Sequence, residues 1–250
     1  MLNRYGLVEA DLPRKPDDEE HPAWAALGGH GPLNLHRGSV EHQNAMEVAT
    51  DQARKWLHAK HGIKTNEFLG AGKFGRVHRT SDGHSVVKFD AEDSESRFAN
   101  YARNHPVLSK ISTLPHYHQS VTTDVEHPIS GRKINALHRE DLHDIEPEHR
   151  HAWNQFGLTV GNNAQGYLSR ANQDVDAVHR SIDKAAQRHR VIFHPSQHEY
   201  LDRVVKDFHT MLNHGVMPCD LGGNWGRRGN GAVVVRDAGC YAAVKRRQKK

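Results

Sequence analysis

Three glycines fall within six positions in "GAGKFG", at Gly70, Gly72 and Gly75, with Val77 two residues beyond. Glycines spaced this way let main-chain N–H groups approach an anion with no Cβ in the way. A lysine, Lys88, closes the β-branched run "SVVK" shortly after, and two acids, Glu92 and Glu95, follow it. Far along the chain come Asp220 and Asn224, four residues apart, and then Asp237 at the end of "VVVRD". Carboxylate and amide oxygens are hard ligands suited to Mg2+. A carboxylate can also accept a proton from a hydroxyl, and an ammonium is a point charge for phosphate oxygens. These are the groups that phosphate chemistry needs, provided the fold gathers them.

The elements that must gather them follow from period and punctuation. Residues 1–38 read as an irregular arm of Pro, Gly, His and acidic residues, including Trp24 and "DDEE". Ser39 is a candidate N-cap for a helix in which Met46, Ala49, Ala53, Trp56 and Leu57 share a face, with Gly62 as its stop. "TNEFLG" and "GRVHRT" read as strands on either side of the glycines, "SDGH" as a turn and "SVVKFD" as a third strand. The glycines therefore join two strands of a hairpin. That excludes the dinucleotide-binding arrangement, in which such glycines open a helix. It also excludes the phosphate loop of nucleoside triphosphatases, which ends in Gly-Lys-Ser/Thr.

Residues 91–104 suit a short helix with Phe98, Tyr101 and Ala102 on one face and Glu92 and Glu95 in its early turns. Two further strands are expected over 112–138 around "ISGRK". Residues 151–213 read as mainly helical. Within them Ser196 and Glu199 form a candidate capping box, ahead of an apolar stripe of Leu201, Val204, Val205, Phe208, Met211 and Leu212 closed by Gly215. A loop and a β-hairpin follow in "VMPCDLGGNWGRRGNGAVVVRDAG".

Composition narrows the class. The chain has 250 residues, 36% of them hydrophobic, and a mean hydropathy of −0.79, the profile of a polar protein with a modest core. No stretch approaches the ~18 apolar residues of a membrane helix, and the first residues carry no apolar run of signal-peptide length, so neither membrane insertion nor secretion is expected. Two cysteines, Cys219 and Cys240, are too few for a disulfide framework and fit a reduced, cytoplasmic setting, with a redox pair or two buried thiols as their open readings. The net charge is +4, part of it in the tail "KRRQKK", which is either solvated or a minor nucleic-acid contact. Among 22 histidines, "HREDLH" and "HYH" come nearest to metal-ligand spacing without meeting it, so the histidines read as mostly surface residues.

The order of these pieces resembles the protein-kinase-like fold over roughly residues 44–241. Gly70-Ala-Gly72-Lys-Phe-Gly75-Arg-Val77 fits G-x-G-x-x-G-x-V, Val86-Val87-Lys88 stands for the strand lysine, Asp220…Asn224 for the catalytic loop and Asp237-Ala238-Gly239 for the D-F-G metal motif. Layout and size are most similar to the small Ser/Thr protein kinases of short-tailed bacteriophages. The resemblance implies an α+β, two-lobe fold: an arm over 1–38, an N-lobe with a small antiparallel sheet over 39–140, and a minimal helical C-lobe over 141–250. It also implies an ATP-dependent kinase with Mg2+, acting on a protein substrate in the cytoplasm, the host's for a bacteriophage protein. Gly70, Gly72, Gly75 and Val77 would lie over the nucleotide and Lys88 would hold its phosphates. Glu95, with Glu92 as the alternative, would steady Lys88. Asp220 would be the base, and Asn224 and Asp237 the metal ligands.

The chain departs from the pattern in three places. Asp220 and Asn224 are one residue closer than in H-R-D-L-x-x-x-N, and Pro218-Cys219 stands where His-Arg would be. Ala238 replaces the Phe of D-F-G. Eleven residues follow Gly239, too few for an activation segment and A-P-E, so control by activation-loop phosphorylation is not expected. Two rivals stay open: a non-catalytic kinase-like protein that binds a partner, and a small-molecule kinase of the aminoglycoside or choline type. Arg227 and Arg228 read as either a solvated hairpin tip or a hold for an acidic substrate.

Overall fold

Val87 and Phe89 point to one side of a strand and Lys88 to the other, and that alternation organises the first half of the fold. The computed structural model describes residues 40–71, 75–168, 174–218, 221–236 and 241–243. The arm, the Ser39 cap, Gly72, Cys219, Asp220, Asp237-Ala238-Gly239, Cys240 and the basic tail lie outside the described residues. The chain divides into two compact units. The described residues of one are 40–100 and 116–141, and those of the other belong to 101–115 and 142–243.

The first unit is a five-stranded antiparallel sheet with helices. α1 (Val40–His61) precedes β1 (Thr65–Ala71), β2 (Gly75–Thr80) and β3 (Ser85–Asp90); after α2 (Ser94–Asn104) come β4 (Tyr117–Glu126) and β5 (Lys133–Glu140). The strand order β1-β2-β3-β5-β4 makes β3 the centre. Met46, Ala49, Ala53 and Leu57 of α1 pack on Val87 and Phe89 of β3 and Ile134 and Ala136 of β5. Burial of each large side chain there contributes about 1.5–3 kcal/mol. α1 ends where Gly62, at φ +70°, turns the chain. Arg54 then ties the helix to the start of β1 through Thr65 Oγ1 at 2.8 Å and the Thr65 carbonyl at 2.9 Å.

The second unit is helical with short strand pairs. α3 (Pro147–Leu168), α4 (Val175–Arg190) and α5 (His198–Asn213) pack in sequence order, α3 against α4 and α4 against α5. β6 (His143–Asp144), β8 (Trp225–Arg227) and β9 (Val233–Val235) form one antiparallel sheet; β7 (Val216–Pro218) pairs with β10 (Tyr241–Ala243). Trp153, Phe156, Phe193, Phe208 and Trp225 form an aromatic core, with Trp153 and Phe193 ring centres 4.8 Å apart. Asp207 of α5 accepts three hydrogen bonds from the segment before β4: Ser112 Oγ at 2.8 Å, Thr113 N–H at 2.9 Å and Thr113 Oγ1 at 2.6 Å.

One sequence expectation is corrected. The Ser196–Glu199 capping box does not form: Pro195 starts a 3-10 turn over 195–197, Ser196 Oγ lies 2.8 Å from His194 Nδ1, and Glu199 meets Arg203 one helical turn on. Most of the described histidines reach the surface, as read, but five do not. His42, His78, His105, His127 and His189 are all buried. His127 Nδ1 accepts the N–H groups of Ile129 and Ser130 and so caps the β4–β5 turn. The α5 stripe is buried as read, except that Val205 is only half-buried. Among the described residues no helix is long and apolar enough to cross a membrane.

His78 sits between the rings of Phe68 and Phe89, and neither of its ring nitrogens has a hydrogen-bond partner among the described residues. Burial first, then the charges of Arg54 and Arg76, lower its pKa to about 4; burial and the neighbouring His42 lower that of His127 to about 4. Both folded values lie below the ordinary ~6.5, so over that window the unfolded chain binds protons that the folded chain does not. Stability is therefore full above roughly pH 6.5 and falls as the pH drops towards about 4. Melting temperature measured from pH 7.5 to 4.5 is expected to decline through this window, and His78→Leu to flatten the decline. A wild-type profile flat to pH 4.5 contradicts the burial argument.

Candidate functional site

β3 is the central strand of the sheet, and its side chains leave alternately through the two faces. α1 covers one face through Val87 and Phe89; Val86, Lys88 and Asp90 occupy the other. Lys88 is 9% exposed. An ammonium so placed needs a charged partner to offset its desolvation. α2 provides one in its first turn, where Glu95 is 3% exposed and its Oε2 lies 2.6 Å from Lys88 Nζ. Asp90 Oδ2 lies 3.5 Å from the same nitrogen. Of the two acids the sequence offered, Glu95 meets the lysine, while Glu92 lies 3.9 Å from Arg132.

The glycine hairpin stands beside this pair. β1 and β2 match Gly70 with Val77 and Ala71 with Arg76, and β2 matches Val77 with Lys88 and Gly75 with Asp90. The described glycines owe their identity to different causes. A Cβ on Gly75 would lie 2.3 Å from the Phe89 carbonyl oxygen, so glycine there is a condition of packing β2 on β3. A Cβ on Gly70 would meet nothing within 4 Å among the described residues, so no packing among them demands glycine there. Arg76 lies 4.4 Å from the centre of the exposed Phe68 ring, a cation–π contact that covers part of β1.

In the second unit Asn224 is half-buried just before β8, and its carbonyl oxygen accepts the Arg236 N–H at 2.6 Å. Arg236 is the residue before Asp237. Gly223, just before Asn224, takes φ +83°, a conformation that favours glycine. A Cβ on Gly157 of α3 would lie 2.4 Å from the Leu221 carbonyl, so α3 and this loop touch backbone to side-chain position. Arg236 Nη2 pairs with Asp144 Oδ1 at 2.7 Å and donates to the His143 carbonyl at 2.9 Å. That guanidinium holds the Asp144 carboxyl below its usual pKa.

Arg227 and Arg228 are engaged within the protein. Arg227 pairs with Glu146 at 2.8 Å, and Arg228 donates to the carbonyls of Ser112 and Leu114. The substrate-holding alternative loses ground to this structural use. Sequence reading missed Asp90, Gly157 and the Arg236–Asp144 pair. Only Asp90 carried a signal, an acid two residues beyond a strand lysine and so on its face. Among the described residues no group of three or more His, Cys, Asp or Glu side chains is arranged to hold a metal ion.

No protein family and no curated protein matches the chain. Solved structures do resemble it. One is a thermostable mutant of the aminoglycoside phosphotransferase APH(4)-Ia in a ternary complex with AMP-PNP and hygromycin B, at 12% identity over 78% of this chain and 73% of that one, TM-score 0.41. Another is APH(2")-IIia with GDP and kanamycin, at 11% identity over 77% and 73%, TM-score 0.36. A third is the PknI kinase domain of Mycobacterium tuberculosis, at 18% identity over 72% and 60%, TM-score 0.33. At these identities and scores the likeness carries no residue role across.

The contrast between the glycines is measurable by denaturant unfolding. Gly75→Ala is expected to cost about 1–3 kcal/mol, the range for forced overpacking. Gly70→Ala is expected to stay within roughly 0.5 kcal/mol of wild type. Equal losses at both positions contradict the distinction.

Proposed function

We propose that the chain is an ATP-dependent phosphotransferase of the protein-kinase-like class, moving the γ-phosphoryl group to a Ser or Thr hydroxyl of a protein. The observation that carries this reading is the buried ion pair, 2.6 Å long, between Lys88 on the strand that follows the glycine hairpin and Glu95 in the first turn of α2. Such a pair costs desolvation and is weak evidence for stability alone. It makes sense as a device that keeps a lysine oriented for phosphate oxygens. The open space at Gly70 fits the same reading, since the main chain there can approach a ligand.

In this reading Gly70, Gly72, Gly75 and Val77 lie over the nucleotide, and Lys88 holds its α- and β-phosphates. Glu95 fixes the ammonium. Asp220 takes the proton of the attacking hydroxyl, and Asn224 and Asp237 are the ligands for Mg2+, all three by the sequence resemblance. The donor chemistry fits the ion, an amide oxygen and two carboxylates being hard ligands. Magnesium, when bound, neutralises charge on the phosphates. The bacteriophage-type layout makes the host cytoplasm the proposed place of action.

A second reading, a non-catalytic kinase-like binder, has one observation in its favour: the Asp220–Asn224 spacing of four, with Gly223 at φ +83° between them. A small-molecule kinase is the third, and the basic net charge of +4 disfavours cationic substrates for it.

One set of measurements separates them. Mg-ATP at ~100 times its Kd stabilises a binding-competent fold by about 2.7 kcal/mol, so the wild-type melting temperature is expected to rise. Lys88→Ala, compared with its own ligand-free melt, is expected to lose that rise. Incubation with γ-labelled ATP and a lysate is expected to label protein bands that vanish with Asp220→Ala and Asp237→Ala. Label only on small molecules moves the assignment to the third reading. A melting shift without any label moves it to the second, and no shift overturns the nucleotide reading.

A further inference from the structure

Asp90 has no part in the reading above, yet it faces the same ammonium. Two residues beyond Lys88 on β3, it leaves the sheet by the same face. Its side chain is 10% exposed, and its Oδ2 stands 3.5 Å from Lys88 Nζ. Its Oδ1 accepts the Glu92 N–H at 2.8 Å, an Asx-type turn that fixes the carboxylate between β3 and α2. Across the sheet Asp90 is level with Gly75 on β2, where the glycine hairpin returns, and with Asn135 on β5. A charged, nearly buried carboxylate is thus held where the lysine of the phosphate site is held.

We propose that Asp90 is a specificity-determining residue that makes the Lys88 site select magnesium-loaded nucleotide over the metal-free form. The inference rests on the phosphotransferase reading and deepens it. Glu95, at 2.6 Å, already makes the direct bond that orients Nζ. At 3.5 Å Asp90 adds little as a hydrogen-bond partner and much as a charge. A phosphate oxygen that takes Lys88 as its donor is drawn into the neighbourhood of that carboxylate, and the two anions repel. Repulsion grows with the charge of the ligand, and a metal-free triphosphate carries two more negative charges than its magnesium complex. In a site shielded from water the repulsion is weakly screened. The carboxylate therefore penalises the metal-free ligand more heavily, whatever other groups it also touches. No bond is made or broken; the effect is electrostatic and belongs to binding.

The bland alternative is that Asp90 serves only the Asx turn. That role needs Oδ1 and no net charge, so Asp90→Asn retains it while removing the charge. Wild type and Asp90→Asn are titrated calorimetrically with ATP in excess Mg2+, and with ATP in EDTA at equal ionic strength. Removal of the charge is expected to tighten metal-free ATP roughly fivefold to tenfold and Mg-ATP only about twofold to threefold, since the repulsion scales with ligand charge. Glu95→Gln, which removes the direct partner of Nζ, is expected to weaken both forms. Should Asp90→Asn fail to fold, Asp90→Ser, which retains an oxygen for the Glu92 amide, takes the same titrations. Equal changes in both forms, no change, or weaker metal-free binding overturns the role of Asp90 and leaves the phosphotransferase reading standing. A wild type that binds neither form overturns both.

Discussion

A lysine ammonium on the central strand of a sheet, 9% exposed, is the constraint from which the first unit can be understood. Burying that charge alone is prohibitive, so the strand, the following helix and the acid in its first turn have to be in place together. The lysine and Glu95 are only seven residues apart, which makes the pair local in sequence and cheap to assemble. Everything else in the unit fixes the strand that carries Lys88. β2 and β5 pair with it on either side, and α1 seals its opposite face. Gly75 lets β2 lie against the Phe89 carbonyl.

The second unit solves a different problem. Only 36% of the chain is hydrophobic, and long polar side chains take over work that a larger core would do. Asp207 holds Ser112 and Thr113, while Arg228 holds the carbonyls on either side of Thr113. Arg236 joins the end of β9 to Asp144 and the His143 carbonyl. Each of these groups replaces water at a main-chain or side-chain partner that would otherwise be left bare, so each is costly to remove. The buried histidines belong with them: His127 caps a turn, and His78 fills an apolar gap between two rings as a neutral side chain.

The same polar economy explains which local signals misled. Ser196 with Glu199 has the spacing of a capping box, but Pro195 draws the chain into a 3-10 turn first and His194 takes the hydroxyl. A histidine count suggests surface, because an isolated histidine is cheaper in water; tertiary packing overrode this at His42, His78, His105, His127 and His189. Arg227 and Arg228 look like a free cationic tip in the sequence, since their partners at 112, 114 and 146 are far away in the chain.

What the sequence determined by itself was everything encoded at short range. The strand-type runs and turn signals of β1 to β3, the helical period of α1 and α5, and the stop at Gly62 need only neighbours a few residues away, and so does the closeness of Lys88 to Glu95. Tertiary structure alone decided which acid of two meets the lysine and that Asp90 shares its face at 3.5 Å. It also decided that Gly75 answers to a carbonyl on the next strand whereas Gly70 answers to no packing among the described residues. The physical reason is that burial, close approach and charge pairing depend on atoms brought in from distant parts of the chain, which no local period records.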